Sequence, residues 1–202
     1  MKLFITAIGT DSGKTLVSAL FAKALNAWYH KPIQAGTPTD TDFLKQHISV
    51  DKIVPEQFLL KMPASPHMAA AAEGIELKLN TVKIPEQNPL VIEGAGGCLV
   101  PINNDEFVID IALIHQLPIV LVANLYLGSI NHTLLTIEYL KSRGAKVSGI
   151  VFNGEENKAS QQVIQHHCPW PVITHIPQLE KVDFSALASN INDIQRFYSE
   201  RR

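Results

Sequence analysis

Lys2-Leu3-Phe4-Ile5-Thr6-Ala7-Ile8-Gly9-Thr10-Asp11-Ser12-Gly13-Lys14-Thr15 passes from an apolar run, through a glycine-containing loop, into a segment of helical spacing. Leu3 to Ile8 has the β-branched and aromatic character of a buried first strand. Apolar residues then fall at Leu16, Val17, Leu20, Phe21 and Ala24, a helical period. Strand, loop and helix in that order make a cradle for a nucleotide's phosphates, built from loop amides and a helix N-terminus. Lys14 is placed to reach the β- and γ-phosphates, and the Thr15 hydroxyl to bind Mg²⁺. The spacing departs from G-x-x-x-x-G-K-[ST] at one point. Ile8 stands where the first glycine belongs, and Gly9 follows one place late.

Working outward, 202 residues suffice for one α/β domain with a large core, so residues 1–202 are expected to form a single domain. Apolar residues make up 46%, yet no window approaches the roughly 18 uninterrupted apolar residues of a membrane span. The N-terminus shows one lysine, then a strand, and no cleavable signal pattern, so a cytoplasmic protein is expected. A formal net charge of −2, with acids and bases scattered, gives no electrostatic support for a nucleic-acid or anionic-membrane partner. Cys98 and Cys168 lie far apart without metal-ligand spacing and read as reduced thiols. His166, His167 and Cys168 have a metal-like composition, but adjacent helical histidines point to different faces.

The rest of the chain alternates. A helix is predicted over Lys14 to Asn26 and a strand over Trp28 to Ile33, with Lys31 near its end; Pro32 confines that strand to an edge or to its terminus. A loop then leads to a short helix from Asp42 to His47. Residues 48 to 88 show little period apart from a helix at 66–73, with Ser65 as N-cap, Pro66 first and Gly74 as C-cap. Pro89 to Glu93 is an all-apolar strand ending on an acid, followed by Gly94-Ala95-Gly96-Gly97. Helices at 107–116, 130–143 and 158–167 alternate with strands at 119–123, 147–152 and 172–175, and helical segments follow Phe184. The pattern predicts an α/β, doubly wound, mainly parallel sheet with helices on both faces. In such sheets ligands sit beyond the carboxyl ends of the strands, which is where Lys31 and Glu93 fall. Asp42 and Glu93, with Thr15, could complete an oxygen-ligand Mg²⁺ site. A lone Asp after a loop serves equally well as a helix cap.

These residues resemble a family, the dethiobiotin synthetases of biotin biosynthesis. The likeness covers nearly the whole chain. It rests on Gly9 to Thr15, Lys31-Pro32-Ile33-Gln34-Ala35-Gly36, Ser65-Pro66-His67, Glu93 to Gly97, Leu127-Gly128-Ser129-Ile130-Asn131-His132, Asn153 and Ile176-Pro177. The resemblance implies a P-loop NTPase-like fold and a ligase using ATP and Mg²⁺, with 7,8-diaminononanoate and CO₂ as substrates. One amine captures CO₂ as a carbamate, ATP phosphorylates it, and the second amine closes the ureido ring. It implies Lys31 as the catalytic lysine. It places ATP on Thr10, Asp11, Ser12, Gly13, Lys14, Thr15, Leu16, Asp42, Glu93, Gly94, Ala95 and Gly96, with Asn153, Pro177, Gln178 and Leu179 around the adenine. It places the diamine on Ala35, Ser65 and His67, and its carboxylate on Ser129 and Asn131 of a neighbouring subunit in a homodimer. Ala35 stands where the family usually has Ser or Thr.

Two other readings share the phosphate loop. A ParA/MinD-like ATPase switch carries a signature lysine early in that loop, and Ile8 to Ser12 contain none. A cobyrinate-type amidoligase needs a glutaminase domain, for which 202 residues leave no room.

Overall fold

The computed structural model describes residues 1–201. In chain order its elements are β1 (Lys2–Ala7), α1 (Lys14–Ala24), β2 (Trp28–His30), β3 (Ile33–Ala35), α2 (Asp40–Lys45), β4 (Ile53–Val54), β5 (Phe58–Leu60) and α3 (Pro66–Ala72). There follow β6 (Leu90–Glu93), α4 (Val108–Ile114), β7 (Ile119–Asn124), α5 (Ser129–Ser142), β8 (Val147–Gly154), α6 (Lys158–His167), β9 (Val172–Pro177) and α7 (Ala188–Ser199). Seven strands form one sheet in the order β4-β2-β6-β1-β7-β8-β9, and every pairing in it is parallel. This is the doubly wound arrangement that the alternation predicts, with the phosphate-loop strand β1 in the middle.

Alternate residues of the central strands feed opposite faces. Phe4, Leu90, Ile92, Ile119 and Leu121 pack with Ile109, Ile137 and Ile164 of α4, α5 and α6. Leu3, Ile5, Val91, Val120 and Val122 pack with Val17, Leu20 and Phe21 of α1 and with Ile194 and Phe197 of α7. Because both faces are covered, these strands read as unbroken apolar runs. Each fully buried side chain of this kind contributes about 1.5–3 kcal/mol.

The expected strand over Trp28 to Ile33 is in fact broken in two. β2 stops at His30, and β3 pairs with β5 in a separate two-stranded parallel sheet. Pro32 has no N–H to give the main sheet, and its carbonyl accepts from Gln57 N (3.1 Å) and Phe58 N (2.9 Å), drawing the chain across. The proline therefore lies past the end of β2, while the two-residue β4 forms the sheet edge. β8 and β9 extend two residues further than predicted because Asn153 and Gly154 pair with Ile176 and Pro177. α2 starts two residues earlier than predicted, for a reason that bears on the site below. Ser65 occupies the N-cap of α3, but its hydroxyl makes no cap bond, and Glu73 rather than Gly74 is the C-cap.

His30 ends β2 with its ring buried; Nδ1 lies 3.5 Å from the Val54 carbonyl, and Nε2 has no partner among the described residues. Burial holds its pKa below the ordinary 6.5, with smaller opposing contributions from the Val54 carbonyl and Glu56. The unfolded chain thus takes up a proton at higher pH than the folded one. The stability contributed is complete above the ordinary histidine range and is lost as pH falls through 6.5 toward the lower folded value. Melting temperature should therefore drop between pH 7 and pH 5, and His30→Leu should flatten that dependence. An unchanged slope would place the acid sensitivity elsewhere.

Candidate active site

The loop between β1 and α1 is held by its own polar groups. Ser12 Oγ donates to Gly9 O (3.0 Å) and Lys14 Nζ to the same carbonyl (3.3 Å). Gly13 has φ +88°, and a Cβ there would lie 2.2 Å from Asn153 Nδ2, so only glycine fits. The turn after β6 packs on this loop from beside it. A Cβ on Gly97 would come within 3.0 Å of Gly9 Cα, and Cys98 N donates to Ala7 O (3.1 Å). The sequence Glu93-Gly94-Ala95-Gly96-Gly97 is thus the lateral support of the loop as well as the carrier of its acid.

Beyond the carboxyl ends of β2 and β6 lies a small ionic cluster. Lys31 Nζ donates to Asp40 Oδ2 and to Glu93 Oε1 (3.2 Å), and both Lys31 and Glu93 are buried. Thr15 Oγ1 lies 2.9 Å from Asp40 Oδ1 and 3.1 Å from Glu93 Oε1. Tyr29, fully buried on β2, donates its hydroxyl to Glu93 Oε2 (2.9 Å). Burial works against the charge of Lys31, but Glu93 and Asp40 outweigh it and hold its pKa above the ordinary value. Burial likewise works against the Asp40 carboxylate, yet Lys31 and Thr15 keep its pKa below the usual range. Lys14 is pulled down, first by burial and then by Lys31, with Glu93 opposing. Tyr29 is pushed well above its ordinary value by burial and by the Glu93 charge.

The structure corrects the assignment of Asp42. Its carboxylate is exposed and accepts from Thr39 N (3.4 Å) and Lys45 Nζ (3.0 Å), while Asp42 N donates to Thr39 Oγ1 (3.1 Å). It closes a capping box at the start of α2, the alternative open to a lone Asp after a loop. Asp40, one helical position after the cap, meets Thr15 and Lys31 instead. Gln34 fixes it there by accepting from Asp40 N (3.2 Å) while donating to Ala35 O and Gly36 O.

A cavity of about 710 Å³ opens over this cluster. Thr10, Asp11, Gly13, Lys14, Thr15, Lys31, Ala35, Ser65, Glu93, Ala95 and Gly96 line it, as expected from the sequence. Gln34, Pro38, Asp40, Pro63, Ala64, Pro66 and Val100 complete the wall and were not foreseen. Leu16 packs into the α1-side core, Ser12 is buried within the loop, and Gly94 is enclosed by Phe4 and Val108. His67 lies behind the wall, its Nδ1 3.0 Å from Ser65 Oγ.

The remaining expected residues lie elsewhere. On the β8 side of the phosphate loop, Asn153 Nδ2 donates to Ser12 O (3.0 Å), and Pro177 ends β9 next to Gly154, with Gln178 exposed beyond it and Leu179 packed on the core. At the start of α5, Gly128 is the N-cap, with φ +101°. Ser129 is buried, its Oγ accepting from Tyr126 N (3.2 Å), whereas Asn131 is exposed and outside this cavity.

The donor set suits a hard cation. Thr15 has one hydroxyl proton for two carboxylate acceptors, so Asp40 and Glu93 keep oxygen lone pairs facing a common point. Mg²⁺ is commonly held by one or two carboxylates together with waters and phosphate oxygens. Among the described residues no group of three or more His, Cys, Asp or Glu side chains gathers, and this covers His166, His167 and Cys168. Cys98 is buried, its thiol pushed up to about 12 by burial, an environment that disfavours the thiolate. No helix of the described residues is long and apolar enough to cross a membrane.

A family model described as an AAA domain matches residues 1–186. The chain is 48% identical over 186 residues to the ATP-dependent dethiobiotin synthetase BioD of Cytophaga hutchinsonii, covering 90% of each sequence. It is 39% identical to the protein of the same name from Rhodopseudomonas palustris, over 92% of this chain and 90% of the relative. Among solved structures it is similar to the cell division ATPase MinD of Pyrococcus furiosus, with a TM-score of 0.60 at 15% identity, covering 100% of this chain and 99% of that one. A putative plasmid partition protein of Borrelia burgdorferi bound to AMPPNP gives a TM-score of 0.62 at 10% identity, covering 100% and 98%. Identities that low speak to the fold alone, which is P-loop NTPase-like.

Proposed function

The chain belongs to the ATP-dependent dethiobiotin synthetase family, within the AAA-domain family, and from that premise we propose how its residues divide the work of the reaction. It is an enzyme that makes dethiobiotin at the expense of ATP. In the proposed course, an amine of 7,8-diaminononanoate adds to CO₂ and loses a proton, giving a carbamate. A carbamate oxygen attacks the γ-phosphorus as its bond to ADP breaks. The second amine then attacks the carbonyl carbon, expelling phosphate and a proton as the ring closes.

One observation carries this reading. A buried lysine, kept protonated by two carboxylates, stands beside a phosphate loop in a cavity that is polar on that side and carries Ala35, Pro38, Pro63, Ala64, Pro66 and Val100 elsewhere in its lining. A carbamate and a triphosphate repel each other, and Lys31 and Lys14 are the cations that offset this. Fixed charges of that kind act most strongly where developing charge is shielded from water. Ala35, Pro38, Pro63, Ala64 and Val100 suit a polymethylene chain. Ala35 offers the diamine a methyl group and no hydrogen bond. Thr15, Asp40 and Glu93 would hold Mg²⁺, which when bound neutralises phosphate charge. Asn153 and the 177–179 segment are assigned to the base, a reading supported by the bond from Asn153 Nδ2 to Ser12 O in the phosphate loop and by the pairing of Gly154 with Pro177. Residues 1–202 are read as one catalytic domain, a reading supported by two cores that share the strands of one sheet. The test is to mix protein, Mg²⁺-ATP, bicarbonate and diaminononanoate and to look for dethiobiotin by mass. ATP hydrolysis without that product would overturn the assignment.

The diamine's carboxylate has no cationic partner along the apolar wall, and we propose that a second copy of the chain supplies its site at the start of α5. Asn131 is exposed there, as are the apolar side chains Tyr126 and Leu127 just before α5. Lys31→Ala and Asn131→Ala proteins should each be poorly active. Mixed under conditions that exchange subunits, they should form heterodimers with one intact site and recover part of the activity. A monomer at micromolar concentration, or no recovery despite proven exchange, would exclude a shared site.

A further inference from the structure

We infer that Tyr29 is a positioning residue that confines Glu93 to one-oxygen coordination and so sets the preference of this site for Mg²⁺ over Ca²⁺. The inference rests on the reading of Thr15, Asp40 and Glu93 as a Mg²⁺ site.

Among the described residues, the Glu93 carboxylate makes three contacts, and they divide by oxygen. Oε1 faces Thr15 (3.1 Å) and Lys31 (3.2 Å), toward the cavity. Oε2 faces away and, among the described residues, accepts only from the Tyr29 hydroxyl (2.9 Å). Both side chains are 0% exposed, so no solvent competes for that second oxygen. Their strands are neighbours in register: Tyr29 pairs with Val91 and His30 with Ile92, which sets the phenol beneath the end of β6. Tyr29 is not among the residues that line the cavity, so its hydroxyl acts through Glu93 rather than on a ligand.

Fixing one oxygen has a consequence for ion choice. Mg²⁺ demands near-ideal octahedral geometry at about 2.0–2.1 Å, whereas Ca²⁺ accepts six to eight oxygens, including both oxygens of one carboxylate. The two oxygens of a single carboxyl subtend too narrow an angle for an octahedron. With Oε2 held by the phenol, Glu93 can turn only Oε1 to a cation, the arrangement that Mg²⁺ requires. Freed of the phenol, the carboxylate can rotate and present both.

Tyr29→Phe removes one oxygen and keeps the ring. Calorimetric titration of Mg²⁺ and Ca²⁺ into protein carrying a non-hydrolysable ATP analogue should show Mg²⁺ affinity falling about tenfold, the low end for loss of a partner behind a metal ligand. Ca²⁺ affinity should hold or rise. A merely structural role would lower the melting temperature and weaken both ions in parallel; that outcome, or an unchanged ratio, overturns the inference while leaving the Mg²⁺ site in place. Wild-type protein that binds neither ion overturns the site reading and the inference together. A second measurement needs no variant. In wild-type protein with ¹³C-labelled glutamate, the separation of the antisymmetric and symmetric carboxylate stretches should widen when Mg²⁺ is added to the analogue complex. Narrowing of that separation would mean two-oxygen coordination and would overturn the inference.

Discussion

Lys31→Met is expected to leave a folded protein whose dethiobiotin formation has fallen by about 10²–10³-fold, the loss typical of one preorganised charge contact to a transition state. Methionine preserves the length and apolar bulk of a side chain that is itself buried. What disappears is the cation between Asp40 and Glu93. Removing one member of a buried ion group destabilises, because the remaining charges lose their partner. Two facing carboxylates then relieve each other by taking up a proton or a metal ion. Mg²⁺-nucleotide affinity should accordingly be retained or increased while turnover collapses, a split that separates loss of chemistry from loss of binding. Steady-state kinetics beside calorimetry on the same preparation would show it. Near-normal turnover by folded Lys31→Met would remove Lys31 from the chemical step, and parallel loss of nucleotide affinity would make it a binding residue.

The second large effect contrasts two acids two residues apart. Asp40→Asn should cost about 10²-fold or more in turnover, since it takes one charge from both Lys31 and the proposed metal ligands. Asp42→Asn should leave turnover nearly unchanged and lower the melting temperature slightly, because Asp42 serves only to close the start of α2. Equal losses in both variants, measured at saturating Mg²⁺, would contradict the division of roles proposed for the two acids.

That contrast also shows how far the sequence could be read. Leu3 to Thr15 announces strand, loop and helix because both the apolar run and the helical period are local. Lys31 and Glu93 stand out as charges ending apolar strands, where nothing local satisfies them. Asp40 and Asp42 have identical chemistry, and only the cap separates them: Thr39, three residues before Asp42, is the signal that makes Asp42 a helix-start residue and leaves Asp40 free. Tyr29 gave no such signal. Within an apolar strand a tyrosine reads as one more large side chain, and its hydroxyl matters only because β2 lies beside β6. The departure of β3 from the main sheet was hidden for a similar reason. Pro32 marks an end, but the partner of the next three residues, β5, lies more than twenty positions away.

The small β3–β5 sheet has a meaning for how such an enzyme can be altered. β2 and β6 are neighbours in the main sheet, yet the chain between them leaves to build β3, α2, β5 and α3, and hence one wall of the cavity. Apart from β4, which returns to the edge of the main sheet beside β2, residues 33–72 are therefore an excursion that builds one wall of the cavity, while the phosphate loop, Lys31 and Glu93 stay on the scaffold. If the wall holds the substrate as proposed, exchanging that excursion between homologous proteins should change which substrate is accepted while leaving the proposed machinery for ATP nearly whole. The exception is Asp40, which travels with the wall. A graft that fits its new substrate perfectly but omits an acid at that position would bind and not turn over.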